Sequence, residues 1–166
     1  MGSVYHLHEN QGSPDCLVFG KCYCHYLKGR IAMNVLLMDD DIFMISLLKG
    51  ALVRWGHKVD AYSNPNNCPA FCAAACPCAL IKNGCPDIIL SDVNMPQVNG
   101  IAFIRELKRK GCKCPKIGMM SGDWSDLDLL TVTHFGVTVF AKPFDLSRLQ
   151  SWVLEENSVF DQRNVA

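Results

Sequence analysis

Five short apolar runs, separated by stretches with helical spacing, constrain the fold more than any other feature of this sequence. The first, Asn34-Val-Leu-Leu-Met38, is continuously apolar and ends in acids, as a strand buried on both faces does. Ile42, Ile45, Leu48, Leu52 and Trp55 then form a helical stripe, and Gly56 stops it. Val59 to Tyr62 is the second run, followed by helix-like sequence to about Lys82 and the punctuation of Asn83-Gly84. The remaining runs are Asp87 to Ser91, Lys116 to Met120 and Val137 to Ala141. Helical stretches cover Ile101 to Lys110, Leu127 to Phe135 and Leu146 to Glu155. Five strands alternating with five helices predict an α/β fold, a doubly wound five-stranded parallel sheet with helices on both faces. The expected strand order is 2-1-3-4-5.

Composition agrees with one such domain. Of 166 residues, 49% are hydrophobic and 19% charged, enough apolar material for a core. The 16 basic and 16 acidic residues cancel, which argues against a chain that coats nucleic acid or anionic lipid. The first residues are polar, without the basic start and apolar core of an export signal, and no run approaches the ~18 apolar residues of a membrane helix. A cytoplasmic location with no membrane contact is therefore expected. Residues 1–32 carry glycine, histidine and cysteine without a sustained period and read as an N-terminal extension. Residues 33–156 read as the folded domain, and 157–166 as a tail.

Ligands of an open parallel sheet bind at the carboxyl ends of its strands. Those positions hold Asp39, Asp40 and Asp41 after the first strand, Asp92 and Asn94 after the third, Ser121, Gly122 and Asp123 after the fourth, and Lys142 and Pro143 after the fifth. Clustered carboxylates suit a hard cation such as Mg²⁺. One of them can then serve as a nucleophile toward phosphorus, while Lys142 and the Ser121 hydroxyl neutralise phosphoryl oxygens. Asp41 reads differently, as a cap on the first helix. Trp55 and Trp152 read as packing residues, and His57 and His134 as surface or edge histidines.

Leu37-Met38-Asp39-Asp40-Asp41, Leu90-Ser91-Asp92-Val93-Asn94-Met95-Pro96 with Asn99-Gly100, Met120-Ser121-Gly122 and Ala141-Lys142-Pro143-Phe144 together resemble the receiver domain of two-component response regulators. Each motif alone is common, but four in order, each at a strand end, are specific. The resemblance spans roughly 33–156 and implies a CheY-like, flavodoxin-like fold. It implies that Asp92 is the phosphoacceptor. It also implies that Asp39, Asp40, Asp92 and the Asn94 backbone carbonyl hold Mg²⁺, and that Ser121 and Lys142 bind the phosphoryl group. A cis bond before Pro143 is part of the pattern, and Asn94 and Asp123 fall where family members tune phosphoaspartate lifetime. The sequence departs from the pattern at Val139, which stands where an aromatic switch residue is usual, with Phe140 beside it.

Ten cysteines are many for a cytosolic chain. Cys68, Cys72 and Cys76 recur every fourth residue and are expected on one helix face. Cys78, Cys85, Cys112, Cys114 and the extension's Cys22 and Cys24 precede strands, so they are expected at the sheet edge opposite the aspartates. There they form a candidate second site for Zn²⁺, an iron–sulfur cluster or a redox dithiol, against the alternative of cysteine as a small buried hydrophobe.

The function expected from these residues is phosphorelay signalling by a stand-alone receiver. A histidine kinase or histidine phosphotransfer protein would donate to Asp92, with output by protein–protein contact and without direct DNA binding. The chain would not be an enzyme beyond its own phosphotransfer and autodephosphorylation. The alternative is a redox- or metal-sensing adaptor that uses the cysteines on the same scaffold.

Overall fold

The structure, a computed structural model, describes residues 32–76 and 85–155. The strands are β1 (Asn34–Met38), β2 (Lys58–Tyr62), β3 (Ile88–Asp92), β4 (Lys116–Ser121) and β5 (Thr138–Ala141). The helices are α1 (Ile42–Arg54), α2 (Pro69–Cys72), α3 (Gly100–Arg109), α4 (Asp126–His134) and α5 (Leu146–Leu154). All neighbouring strands pair in parallel, in the order β2-β1-β3-β4-β5, as expected from the sequence.

The two-residue period of the strands divides the core into two layers. Val35 and Leu37 of β1, with Ile88, Leu90, Met120 and Phe140, pack against Leu48 and Leu52 of α1 and Leu149, Trp152 and Val153 of α5. Leu36 and Met38, with Ile89, Ile117 and Met119, pack against Ile101, Phe103, Ile104 and Leu107 of α3 and Val132 of α4. Phe140 is fully buried and meets Trp152 edge-on, with ring centroids 5.2 Å apart. Truncation by Phe140→Ala is expected to cost about 3–5 kcal/mol, read as a lower urea midpoint with an unchanged slope.

Local chemistry starts and stops the helices. Asp41 caps α1, its carboxylate accepting from the amides of Phe43 and Met44. Asn99 caps α3, Ser125 caps α4 and Asp145 caps α5 in the same manner. Gly56 ends α1 at φ 94°, a conformation that costs glycine little.

Three expectations need correction. The helix foreseen from β2 to about Lys82 is a 3₁₀ turn at Pro65–Asn67 followed by the four-residue α2. Pro65 and Pro69 each open a short element, Ala73 is already extended at ψ 149°, and Pro77 disfavours helical geometry at Cys76. Cys68, Cys72 and Cys76 therefore do not share a helix face; Cys68 and Cys76 are buried while Cys72 is exposed. His57 is buried, not a surface residue. The extension's residues 1–31, the tail 157–166, and with them Cys22 and Cys24, lie outside the described residues, as does Cys78. Among the described residues no helix is long and apolar enough to cross a membrane.

Candidate functional site: an acidic sheet edge closed by one lysine

Parallel pairing aligns the carboxyl ends of the strands, and the chemistry gathers there. Asp39 follows β1 directly and is 1% exposed, and Asp92 is the last residue of β3 and 5% exposed. Lys142 follows β5, anchored by its amide donating to the Ser121 carbonyl at 2.7 Å. Its ammonium donates to Asp92 Oδ1 at 2.6 Å and Asp39 Oδ2 at 2.9 Å. The Lys142–Pro143 peptide is cis, as the motif implied.

Electrostatics explains this arrangement. Burial raises the Asp39 carboxyl above its ordinary range, and the nearby Asp92 charge pushes it further up. Hydrogen bonds from Lys142 and the Asp41 amide oppose that rise. Burial works against the Lys142 charge as well, but the two carboxylates outweigh it and raise its pKa. Asp40 is exposed beside this pair. Among the described residues no three carboxylates close to within 4.8 Å of one another; the ammonium stands between Asp39 and Asp92 instead.

One ammonium against three carboxylates leaves an all-oxygen donor set with negative charge in excess. This fits a hard divalent cation that keeps several waters. Lys142→Ala is expected to destabilise the chain by about 1–3 kcal/mol, because two buried like charges lose their shared partner. Added Mg²⁺ should recover more stability in this variant than in wild type, which thermal melts with and without the ion would show.

Ser121, fully buried, ties the rest of the edge together. Its hydroxyl donates to the Asp123 carbonyl at 2.6 Å and accepts from Asn94 Nδ2 and the Asp123 amide, both at 3.1 Å. Asn94 and Asp123 are thus linked through one oxygen. Gly122 beside it has open space where a side chain would begin. On the other flank, Gly100 opens α3 so close to β3 that a Cβ there would collide with the Asp92 carbonyl oxygen. The Gly100 amide donates to the Val93 carbonyl at 2.9 Å.

This edge, on a sheet of this order, is matched by the family model of the response regulator receiver domain over residues 35–154. The chain belongs to the response regulator receiver family.

Its curated relatives include the chemotaxis protein CheY of Bacillus subtilis, 28% identical over 120 residues, 72% of this chain and 92% of that one. The transcriptional regulatory protein ZraR of Salmonella typhimurium is 26% identical over 125 residues, 75% of this chain and 26% of ZraR. The chain thus spans about a quarter of the length of the ZraR relatives it matches. Among solved structures, a response regulator receiver protein from Pseudomonas putida superposes with a TM-score of 0.63 at 22% identity, covering 76% of this chain and 99% of that one. CheY in a CheX–CheY–BeF3–Mg complex from Borrelia burgdorferi gives 0.60 at 23% identity, covering 78% and 90%. At these identities the structural likenesses show the shared fold.

Val139 stands where the sequence resemblance puts an aromatic residue. Val139 packs against the α3/α4 layer, while Phe140 faces the other layer, between Trp152 and Phe144. No aromatic ring of β5 therefore lies on the α4 side of the sheet.

Among the described cysteines, Cys76 and Cys85 precede β3 and Cys112 and Cys114 precede β4, at the opposite sheet edge. Cys85 Sγ is 3.5 Å from Cys112 Sγ and 3.7 Å from Cys76 Sγ. Cys112 and Cys114 are buried, and burial is the main cause that pushes their thiols up to about 11 and about 12. Cys114 stands apart from the trio, its thiol donating to the Lys116 carbonyl at 3.3 Å. Cys76 was not foreseen in this group. Its signal in the sequence is the following Pro77, which disfavours helical geometry at Cys76; the Cys76 amide donates to the Lys110 carbonyl at 3.0 Å.

Proposed function

We propose that this receiver takes a phosphoryl group onto Asp92 from the phosphohistidine of a histidine kinase or histidine phosphotransfer protein. The observation that carries the reading is the Lys142 ammonium, held by both Asp92 and Asp39 at the carboxyl edge of a receiver-family sheet. In the transfer, an Asp92 carboxylate oxygen forms a bond to phosphorus, the P–N bond to the donor imidazole breaks, and the imidazole leaves with a proton. Lys142 is placed to exchange its bond with Asp92 for one to a phosphoryl oxygen. The Ser121 hydroxyl can turn from the Asp123 carbonyl toward the same group. Asp39, Asp40, Asp92 and the Asn94 carbonyl are the residues that would hold Mg²⁺, which supplies charge neutralisation for the phosphoryl oxygens. The chain catalyses its own phosphorylation and dephosphorylation and turns over no other substrate.

Two apolar surfaces support protein partners. Ile42 and Phe43 open α1 beside the acidic edge, and Phe43 is 80% exposed. A groove lined by Met44, Leu47, Pro143, Phe144 and Leu146 adjoins it. This face suits the phosphodonor. Leu127 and Leu130 are exposed on α4, a face for a downstream protein; we assign the output to protein contact in the cytoplasm, without DNA.

The test uses two donors. With Mg²⁺, both acetyl phosphate and a phosphorylated phosphotransfer protein should label the chain with an acid-stable, base-labile group, and chelation of Mg²⁺ should stop both. Phe43→Ala should slow labelling by the protein donor about tenfold, the weight of one anchor residue, and leave acetyl phosphate unaffected. Labelling without Mg²⁺ would contradict the reading. Direct binding bears on Mg²⁺ as well: a hundredfold excess over its Kd should add about 2.7 kcal/mol to stability.

A further inference from the structure

The sulfurs of Cys76, Cys85 and Cys112 all lie within 4.8 Å of one another. They come from three separate places in the chain: the segment after α2, the approach to β3 and the turn after α3. The backbone fixes two of these places. The Cys76 amide donates to the Lys110 carbonyl at 3.0 Å, and the Cys112 amide to the Leu107 carbonyl at 2.9 Å. The two shorter separations, 3.5 and 3.7 Å, approach the edge of a zinc–thiolate tetrahedron. Zn–S bonds of about 2.3 Å set sulfurs about 3.8 Å apart. Sulfurs this close leave no room between them for the several-atom core of an iron–sulfur cluster. Cys85 is disulfide-bonded in this structure, and its partner sulfur is not among the described residues.

We propose that the reduced chain binds one Zn²⁺ through Cys76, Cys85 and Cys112, and that the Cys85 disulfide gates the site. A dithiol or phosphine reductant delivers two electrons, the S–S bond breaks, and each sulfur takes up a proton. Zn²⁺ then replaces the three thiol protons, which leave to solvent. The fourth position goes to water. The site lies at the other end of the sheet strands from Asp92, so it stands independently of the phosphorylation reading.

The full chain, reduced without oxygen by a phosphine and freed of it, is titrated with Co²⁺ as a visible stand-in for zinc. The expected result is thiolate-to-cobalt charge-transfer and tetrahedral d–d absorption that saturates at one ion per chain and is bleached by Zn²⁺. The unreduced chain should give none. Cys85→Ser and Cys112→Ser should weaken binding at least tenfold, and Cys72→Ser, at an exposed thiol, should leave it unchanged. Alkylation of the wild-type chain, mapped by peptide mass, keeps the test decisive where a variant fails to fold: Zn²⁺ should protect Cys76, Cys85 and Cys112. No thiolate band in the reduced chain, equal binding by the unreduced chain, or protection of other cysteines would each overturn the proposal, leaving these sulfurs as packing groups.

Discussion

Asp92→Asn is expected to reduce phosphoryl incorporation to background while the chain stays folded. Asparagine keeps the shape of the side chain but lacks the anionic oxygen that must bond to phosphorus. Lys142 retains its second partner, Asp39, at 2.9 Å, so the edge does not lose its ion pair. The bond from Lys142 weakens, since an amide oxygen still accepts from the ammonium, at a cost below the ~1.5–3 kcal/mol of the full charge-assisted bond. Loss of the repulsion between Asp92 and Asp39 offsets part of that cost. A net stability change below about 2 kcal/mol is therefore expected, measured by urea unfolding beside the labelling assay. A variant that unfolds would show Asp92 to be chiefly structural; one that still labels normally would remove it as the acceptor.

Gly100→Ala should have the largest effect of any single-methyl change. A Cβ at this position meets the Asp92 carbonyl oxygen, with the Asp92 carbonyl carbon and the Met119 methyl both 3.0 Å away. The first two obstacles are backbone of the central strand β3, which cannot turn aside as a side chain can. To admit the methyl, α3 must move off the sheet, and Ile101, Phe103, Ile104 and Leu107 pack on that side. Overpacking costs typically 1–3 kcal/mol, and a rigid backbone obstacle puts this variant at or above about 3 kcal/mol. For a domain of this size that is a fall in Tm of roughly 10 °C. The same displacement shifts Asp92, so slower labelling should accompany the lower Tm. Gly122→Ala is the control, since nothing stands within 4 Å of its added methyl. Equal melting of the two variants would refute the close approach of α3 to β3.

Much of this molecule was legible in its sequence because the signals were local and agreed with one another. Val35 to Met38 reads as a strand buried on both sides and Asp41 as the cap of the helix that follows, and the structure has both. With the topology set, strand ends alone brought Asp39, Asp92, Ser121 and Lys142 to one edge. The segment after β2 imitates a helix face through its four-residue cysteine spacing, whereas Pro65 and Pro69 each open a short element there. The burial of His57 was not legible either; it depends on β1 and β2 lying side by side, with the Met33 amide donating to His57 Nδ1 at 3.4 Å. Nor could spacing show that Cys76 joins Cys85 and Cys112, since that meeting depends on where the chain turns after α2 and α3. Side-chain partners across the sheet, such as the choice of Lys142 between two aspartates, require coordinates.

The central claim is that phosphate enters at Asp92. Labelling with acetyl phosphate and Mg²⁺, followed by borohydride reduction, converts an aspartyl phosphate to homoserine, which peptide mass spectrometry locates. The account predicts the conversion at position 92 alone. Conversion at Asp39, Asp40 or Asp123, or none in a folded chain that has bound Mg²⁺, would contradict it.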